Sequence, residues 1–232
     1  MKQDRTKIIS GKDLGQLVLK DFCPRCFWIE RKLGKAPSIF PGIFSTIDSL
    51  TKKSVKRSFL ERRCLPEWLP IKNVVKPIEF PRISVPMLEY GNWILTGEPD
   101  EVFEMDDGSY HIVDYKTAKF TNKQDDLLPL YQVQLNAYAL ALPVYNIKPI
   151  TKLSLLYCEP KEELDSDENF CLGFTIQSLE IELQPEIIPE LLLKARSILE
   201  NNVPPASITN CKGICSWLEM TGKELYSQHK NF

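Results

Sequence analysis

Two cysteine pairs, Cys23-x-x-Cys26 and Cys211-x-x-x-Cys215, stand on either side of almost the whole chain. Each pair has chelating spacing, and four thiolates suit a tetrahedral zinc ion or an iron–sulfur cluster. If one centre takes all four, the N-terminal and C-terminal segments must meet, which excludes every fold that holds them apart. The seven cysteines are an odd set, and the polar segment Met1–Lys7 is followed by no apolar signal region. Reduced thiols or metal ligation are therefore expected in place of a disulfide framework, and Cys64, Cys158 and Cys171, with apolar neighbours, are expected to be core thiols. No stretch reaches the roughly 20 apolar residues that span a bilayer, so a soluble, cytoplasmic protein with no membrane partner is expected.

Of the 232 residues, 43% are hydrophobic and 26% charged, enough to bury a core and too regular for a disordered or fibrous chain. The formal charge of −2 hides a polarity. Residues 1–76 hold 17 basic and 7 acidic side chains, a net +10, leaving −12 for residues 77–232. A basic first third can face a polyanion despite the acidic total.

Ser10 is placed to cap a first helix with Leu14, Leu17, Val18 and Leu19 on its apolar side, and the chain breaks at Cys23-Pro24. A second helix is expected over about 43–63, with Ile43, Ile47 and Leu50 on one stripe and Phe44, Val55 and Phe59 beside it. Its outer face carries Lys52, Lys53, Lys56, Arg57, Arg62 and Arg63, a candidate surface for the phosphates of a polyanion. Prolines then prevent any long element up to Pro86, leaving room for a short strand near Val74. A meander of three strands follows: MLEY, WILTGEPDEVFEM and SYHIVDYKT. Beyond it come a helix over 130–142, a strand over 151–158, an acidic loop, a strand over 171–177 and a helix from Pro185 to Leu199. The expectation is a single α/β domain over residues 1–232.

The hairpin concentrates the chemistry. With Asp106-Asp107-Gly108 as a three-residue loop and Gly108 left-handed, facing residues sum to 214, so Asp100 lies opposite Asp114. Two carboxylates then converge, and like charges repel unless a cation sits between them. Oxygen ligands suit Mg²⁺ or Mn²⁺. Strand alternation puts Lys116 on the same face as Asp114, beside the metal and any phosphate. The competing possibility is a solvated face on which Asp and Lys merely pair.

Pro99-Asp100 followed by Asp114-Tyr115-Lys116 resembles the PD-(D/E)XK nuclease signature. Gln134-Leu-Asn-Ala-Tyr138 is similar to the Gln-x-x-x-Tyr motif of the RecB-like branch. The resemblance implies a restriction-endonuclease-like core, a mixed central sheet flanked by helices, and a Mg- or Mn-dependent DNA nuclease of exonuclease type. It implies Asp100, Asp114 and the Tyr115 carbonyl as metal ligands, Lys116 as the catalytic cation, and Gln134 and Tyr138 as helical site residues. It also favours an iron–sulfur cluster over zinc at Cys23, Cys26, Cys211 and Cys215. RecB-like nucleases usually carry an upstream His or acidic ligand. The chain has no His before His111, and Asp48 is the best substitute. His111 alternates away from Asp114 and is expected to be structural. A non-catalytic nucleic-acid-binding module and a zinc-stabilised interaction protein are the alternatives, and any helicase or CRISPR-type partner stays open.

Overall fold

A computed structural model describes residues 6–35, 41–121, 125–162 and 170–229, with side chains as far as Gly222. The acidic segment 163–169 lies outside the described residues. The chain starts with β1 (Ile8–Ser10) and α1 (Gly11–Gly15), where the Asp13 N–H donates to the Ser10 hydroxyl at 3.0 Å. This is the expected cap, but α1 gives way to a 3-10 turn through Val18, so no continuous helix reaches Leu19. Pro24, whose missing N–H costs nothing in a first turn, opens α2 (Pro24–Lys32). The long α3 (Gly42–Arg62) follows, then β2 (Val74–Pro77), β3 (Ile83–Met87), β4 (Trp93–Gly97), β5 (Glu101–Met105) and β6 (Tyr110–Lys116). The remaining elements are α4 (Leu128–Ala141), β7 (Ile150–Pro160), β8 (Phe174–Ile181), α5 (Ile187–Glu200) and α6 (Ile214–His229).

The strands form two sheets. The smaller has the order β1-β4-β3, and the larger is a mixed sheet, β2-β5-β6-β7-β8, flanked by helices. In the larger sheet β6 and β7 run parallel, the direction that demands a crossover, and α4 supplies it. The mixed sheet with flanking helices is the expected α/β architecture. The expected meander is corrected in two places. MLEY is not a strand: pairing ends at Met87, and Leu88–Tyr90 forms a 3-10 turn. WILTGEPDEVFEM is two strands in different sheets, because Pro99 cannot donate to a ladder and the Glu98–Asp100 segment carries the chain from one sheet to the other. Beyond Cys211 the chain forms α6, a helix the residue pattern did not announce.

The main core lies on the face covered by α1, α4 and α5. Trp93 is fully buried there between the guanidinium groups of Arg31 and Arg196, 5.8 and 4.0 Å from its ring. Its indole N–H is satisfied by the Leu192 carbonyl at 2.9 Å. The opposite face holds a smaller cluster of Val55, Leu69, Phe103, Val113, Tyr115 and Leu156. The apolar stripes expected on α3 are only partly used: Val55 is buried, whereas Ile43, Phe44 and Leu50 are exposed. Cys64 and Cys171 are exposed too, so of the three expected core thiols only Cys158 is one. Apolar neighbours in sequence do not bury a residue that lies just past a helix end or beside a loop.

Candidate active site

The site begins at the β5–β6 turn. Gly108 has φ +80°, and its N–H donates to the Met105 carbonyl at 3.0 Å. The turn fixes the register Glu101↔Val113, Val102↔Ile112, Phe103↔His111 and Glu104↔Tyr110, which places Asp100 across from Asp114. Strand β6 is paired on both sides, by β5 and β7, and Asp114 is only 3% exposed. A charge so deep in a sheet needs partners. Gln134 donates to Asp114 Oδ1 at 3.0 Å, and the Lys116 ammonium lies 2.5 Å from Oδ2. Lys116 is itself held 4.2 Å from the centre of the Tyr131 ring.

Gln134 and Tyr138 share one face of α4, one turn apart, and Gln134 donates to the Tyr138 hydroxyl at 2.8 Å. The Tyr138 ring lies against Gly97, where any Cβ would collide with it. Both amide protons of Gln134 are thereby used, and its buried Oε1 has no donor among the described residues. Asp114 Oδ2 likewise receives no aligned hydrogen bond and meets only the Lys116 ammonium.

Asp100 accepts the Tyr115 N–H at 2.7 Å on Oδ2 and pairs with Lys52 at 2.6 Å through Oδ1. Lys52 also lies 2.9 Å from Asp48, one turn earlier on α3. Burial, followed by the Asp114 charge, pushes the Asp100 carboxyl up to about 6, against the pull of Lys52 and the Tyr115 N–H. Glu101, on the α3 side, rises to about 7 through burial and the neighbouring Asp100. Cut between α3 and α4, a cleft of about 450 Å³ is lined by Lys12, Asp48, Glu98, Asp100, Asp114 and Lys116, among others.

Asp48, Asp100, Asp114, Lys116 and Gln134 therefore line one cleft, and Tyr138 supports Gln134 from behind. The Tyr115 side chain is buried on the other face of the sheet, so only its backbone can serve the site. Lys52 departs from expectation: instead of facing outward with the basic stripe it turns into the cleft. Lys56 pairs with Glu79 at 2.6 Å, Arg62 donates to the Ser58 hydroxyl at 2.7 Å, and Arg63 ends the helix with φ 56°. Lys53 and Arg57 remain exposed. Sequence reasoning missed Lys12, Tyr131 and Glu101. The i,i+4 spacing of Asp48 and Lys52 was a visible signal for the ion pair, whereas Lys12 reaches the cleft only because β1 pairs with β4. His111 is at the far end of β6, buried and bonded to Ser154 at 2.8 Å.

The donor set fits a divalent ion. Two facing carboxylates, one of them with the buried Asp114 Oδ2 that receives no aligned hydrogen bond, and a third on α3 are hard oxygen ligands. The second cluster is sulfur. The Sγ atoms of Cys23, Cys26, Cys211 and Cys215 all lie within 4.8 Å of one another, at the N-terminus of α2 and the start of α6. Burial would raise the Cys23 thiol, but the N–H groups of Cys26 and Ile208 bring it down to about 7. Burial pushes Cys215 up to about 11.

The family model described as the PD-(D/E)XK nuclease superfamily matches residues 22–220. The chain belongs to this superfamily. Its hairpin and cleft carry the signature residues from which the superfamily takes its name, and nucleic acid is the substrate of the class. No curated protein gives a significant match. Solved structures that resemble this PD-(D/E)XK chain include the following two. One is the crystal structure of SSO0001, at 15% identity and TM-score 0.43, covering 88% of this chain and 80% of that one. The other is LHK-Exo in complex with dAMP, at 11% identity and TM-score 0.42, covering 84% and 87%. Among the described residues no helix is long and apolar enough to cross a membrane.

Proposed function

We propose that the chain is a Mg- or Mn-dependent deoxyribonuclease of the RecB-like type. The observation that carries this reading is the facing pair Asp100 and Asp114 with Lys116 2.5 Å from the buried member and Gln134 fixing its other oxygen. Asp100, Asp114 and the Tyr115 carbonyl, with Asp48 as the outer carboxylate, would hold the ion. When bound, it polarises the phosphate and lowers the pKa of its water. Lys116, steadied over Tyr131, presents its ammonium to the scissile phosphate and the attacking water. Gln134 holds Asp114 in place through its amide N–H, while Tyr138 holds Gln134. Lys12 at the cleft and Lys53 and Arg57 outside it meet the backbone of the DNA. The exonuclease type rests on the Gln134-x-x-x-Tyr138 resemblance.

We read residues 1–232 as one domain clasped by a metal at the four cysteines. Four of the six sulfur separations are 3.3 to 3.8 Å and all are within 4.8 Å, which supports a single tetrahedral ion, because zinc–thiolate bonds of ~2.3 Å put ligands about 3.8 Å apart. The resemblance supports the larger iron–sulfur cluster, and anaerobic purification separates the two: brown protein contains iron and sulfide, colourless protein stoichiometric zinc. For the active site, Asp114→Ala and Lys116→Ala should each lower metal-dependent DNA cleavage by about 10³-fold while the circular dichroism stays native. Wild-type rates in both variants would overturn the assignment.

A further inference from the structure

Asp100 is engaged from both sides, by the Tyr115 N–H at 2.7 Å and by the Lys52 ammonium at 2.6 Å. The same ammonium reaches Asp48 at 2.9 Å. Lys52 thus spans two carboxylates on the α3 side of the cleft, just as Lys116 serves Asp114 on the α4 side. Most lysine–carboxylate pairs on a helix surface are worth little, but here one partner side chain is only 13% exposed. A buried like-charge pair requires positive charge close by, and this chain brings one lysine to each carboxylate.

We propose that Lys52 is a resident cation of the cleft, which bridges Asp48 and the outer oxygen of Asp100 in the place of a second divalent ion and limits the site to one ion shared by Asp100 and Asp114. This rests on the reading of the cleft as a divalent-metal site. Four carboxylates, Asp48, Glu98, Asp100 and Asp114, against the ammonium groups of Lys12, Lys52 and Lys116 leave it a formal charge of −1. One divalent ion makes that +1, which matches the single negative charge of a phosphodiester. A second ion, about 3.5–4 Å from the first as in two-metal sites, would have to displace Lys52 from the same oxygens. An ammonium is suited to the alternative role, because its three rotatable donors satisfy two carboxylates without imposing a coordination geometry.

Calcium titration calorimetry on the full chain tests this, since Ca²⁺ takes oxygen ligands and leaves the thiolates alone. Wild type should bind one Ca²⁺ that Asp114→Asn abolishes. Lys52→Met should bind two, and Lys52→Arg, which keeps the cation, should bind one. Two cleft ions in wild type, or a single ion of unchanged affinity in Lys52→Met, would overturn the assignment of Lys52 and leave the metal site intact. If no protein binds an ion that Asp114→Asn removes, the metal reading itself falls and this inference with it. Should Lys52→Met fail to fold, Lys52→Gln replaces it, and the wild-type count still decides.

Discussion

Ten of the fourteen residues of α4 are buried, whereas α3, on the opposite face of the same sheet, buries only Val55 and Ser58 among its twenty-one. Both helices supply the cleft. Helix α4 offers Gln134 from a buried position where it bonds both Asp114 and Tyr138, with the Tyr138 ring packed against Gly97 behind it. Helix α3 offers Asp48 and Lys52 from a half-solvated face, where mutual charge holds them. One wall of the site is thus fixed by shape and the other by electrostatics, and the two should answer differently to mutation, acid and salt.

Removing side chains gives the largest contrast. Leu135→Ala on α4 should cost about 3 kcal/mol in urea unfolding, since it empties a fully buried position. Leu50→Ala on α3, where Leu50 is 60% exposed, should stay within about 0.5 kcal/mol. Equal losses would mean that α3 is packed as tightly as α4.

Acid probes the α3 side, whose face of the sheet carries His111. Burial, aided by Lys152, pushes that imidazole down to about 4. A depressed histidine contributes stability that is complete above its unfolded value of ~6.5 and is lost as pH falls from there towards 4, because only the unfolded chain takes up the proton. The span corresponds to about 3 kcal/mol. His111→Gln should flatten the stability profile between those limits, and an unchanged profile would show that His111 titrates freely.

Catalysis should split the same way with a smaller energy. Gln134→Ala should slow DNA cleavage about 10²-fold, and Asp48→Ala no more than about 10-fold, because Asp114 loses a fixed donor in the first case and the cleft loses only an outer carboxylate in the second. The reverse order would make α3 the rigid wall. Smallest of all is the salt effect. Lys53→Gln with Arg57→Gln should reduce the slope of log K for DNA against log salt by about 2, close to one per phosphate contact. Lys56→Gln should change it less, since Lys56 is already paired with Glu79.

The hairpin was legible because turn chemistry and strand period are local. Asp107, Gly108 and the alternation of Tyr110 to Lys116 contain everything needed to bring Asp100 across from Asp114. Ser10 as a cap and the Gln134–Tyr138 spacing were legible for the same reason. The division into two sheets was not: Pro99 marks a break, but which sheet takes each half depends on β1 and β3 finding β4. The half-used apolar stripe of α3 was equally hidden, since periodicity reports that a face could be buried, not that a neighbour arrives to bury it. Lys52 shows the same limit, with a basic run naming its charge while the tertiary contact with Asp100 decides its task.

The distance in sequence between the clustered cysteines bears on biogenesis. Cys23 and Cys215 are 192 positions apart, and a ribosome adds about 5–20 residues per second. The first pair therefore waits roughly 10–40 s for its partners to be synthesised. Throughout that interval Cys23 and Cys26 stand in the nascent chain as an unguarded dithiol. If the four cysteines hold one metal, oxidation of that pair before Cys211 and Cys215 emerge would leave a finished polypeptide unable to complete the centre, and maturation would then depend on the supply of reductant and metal during translation.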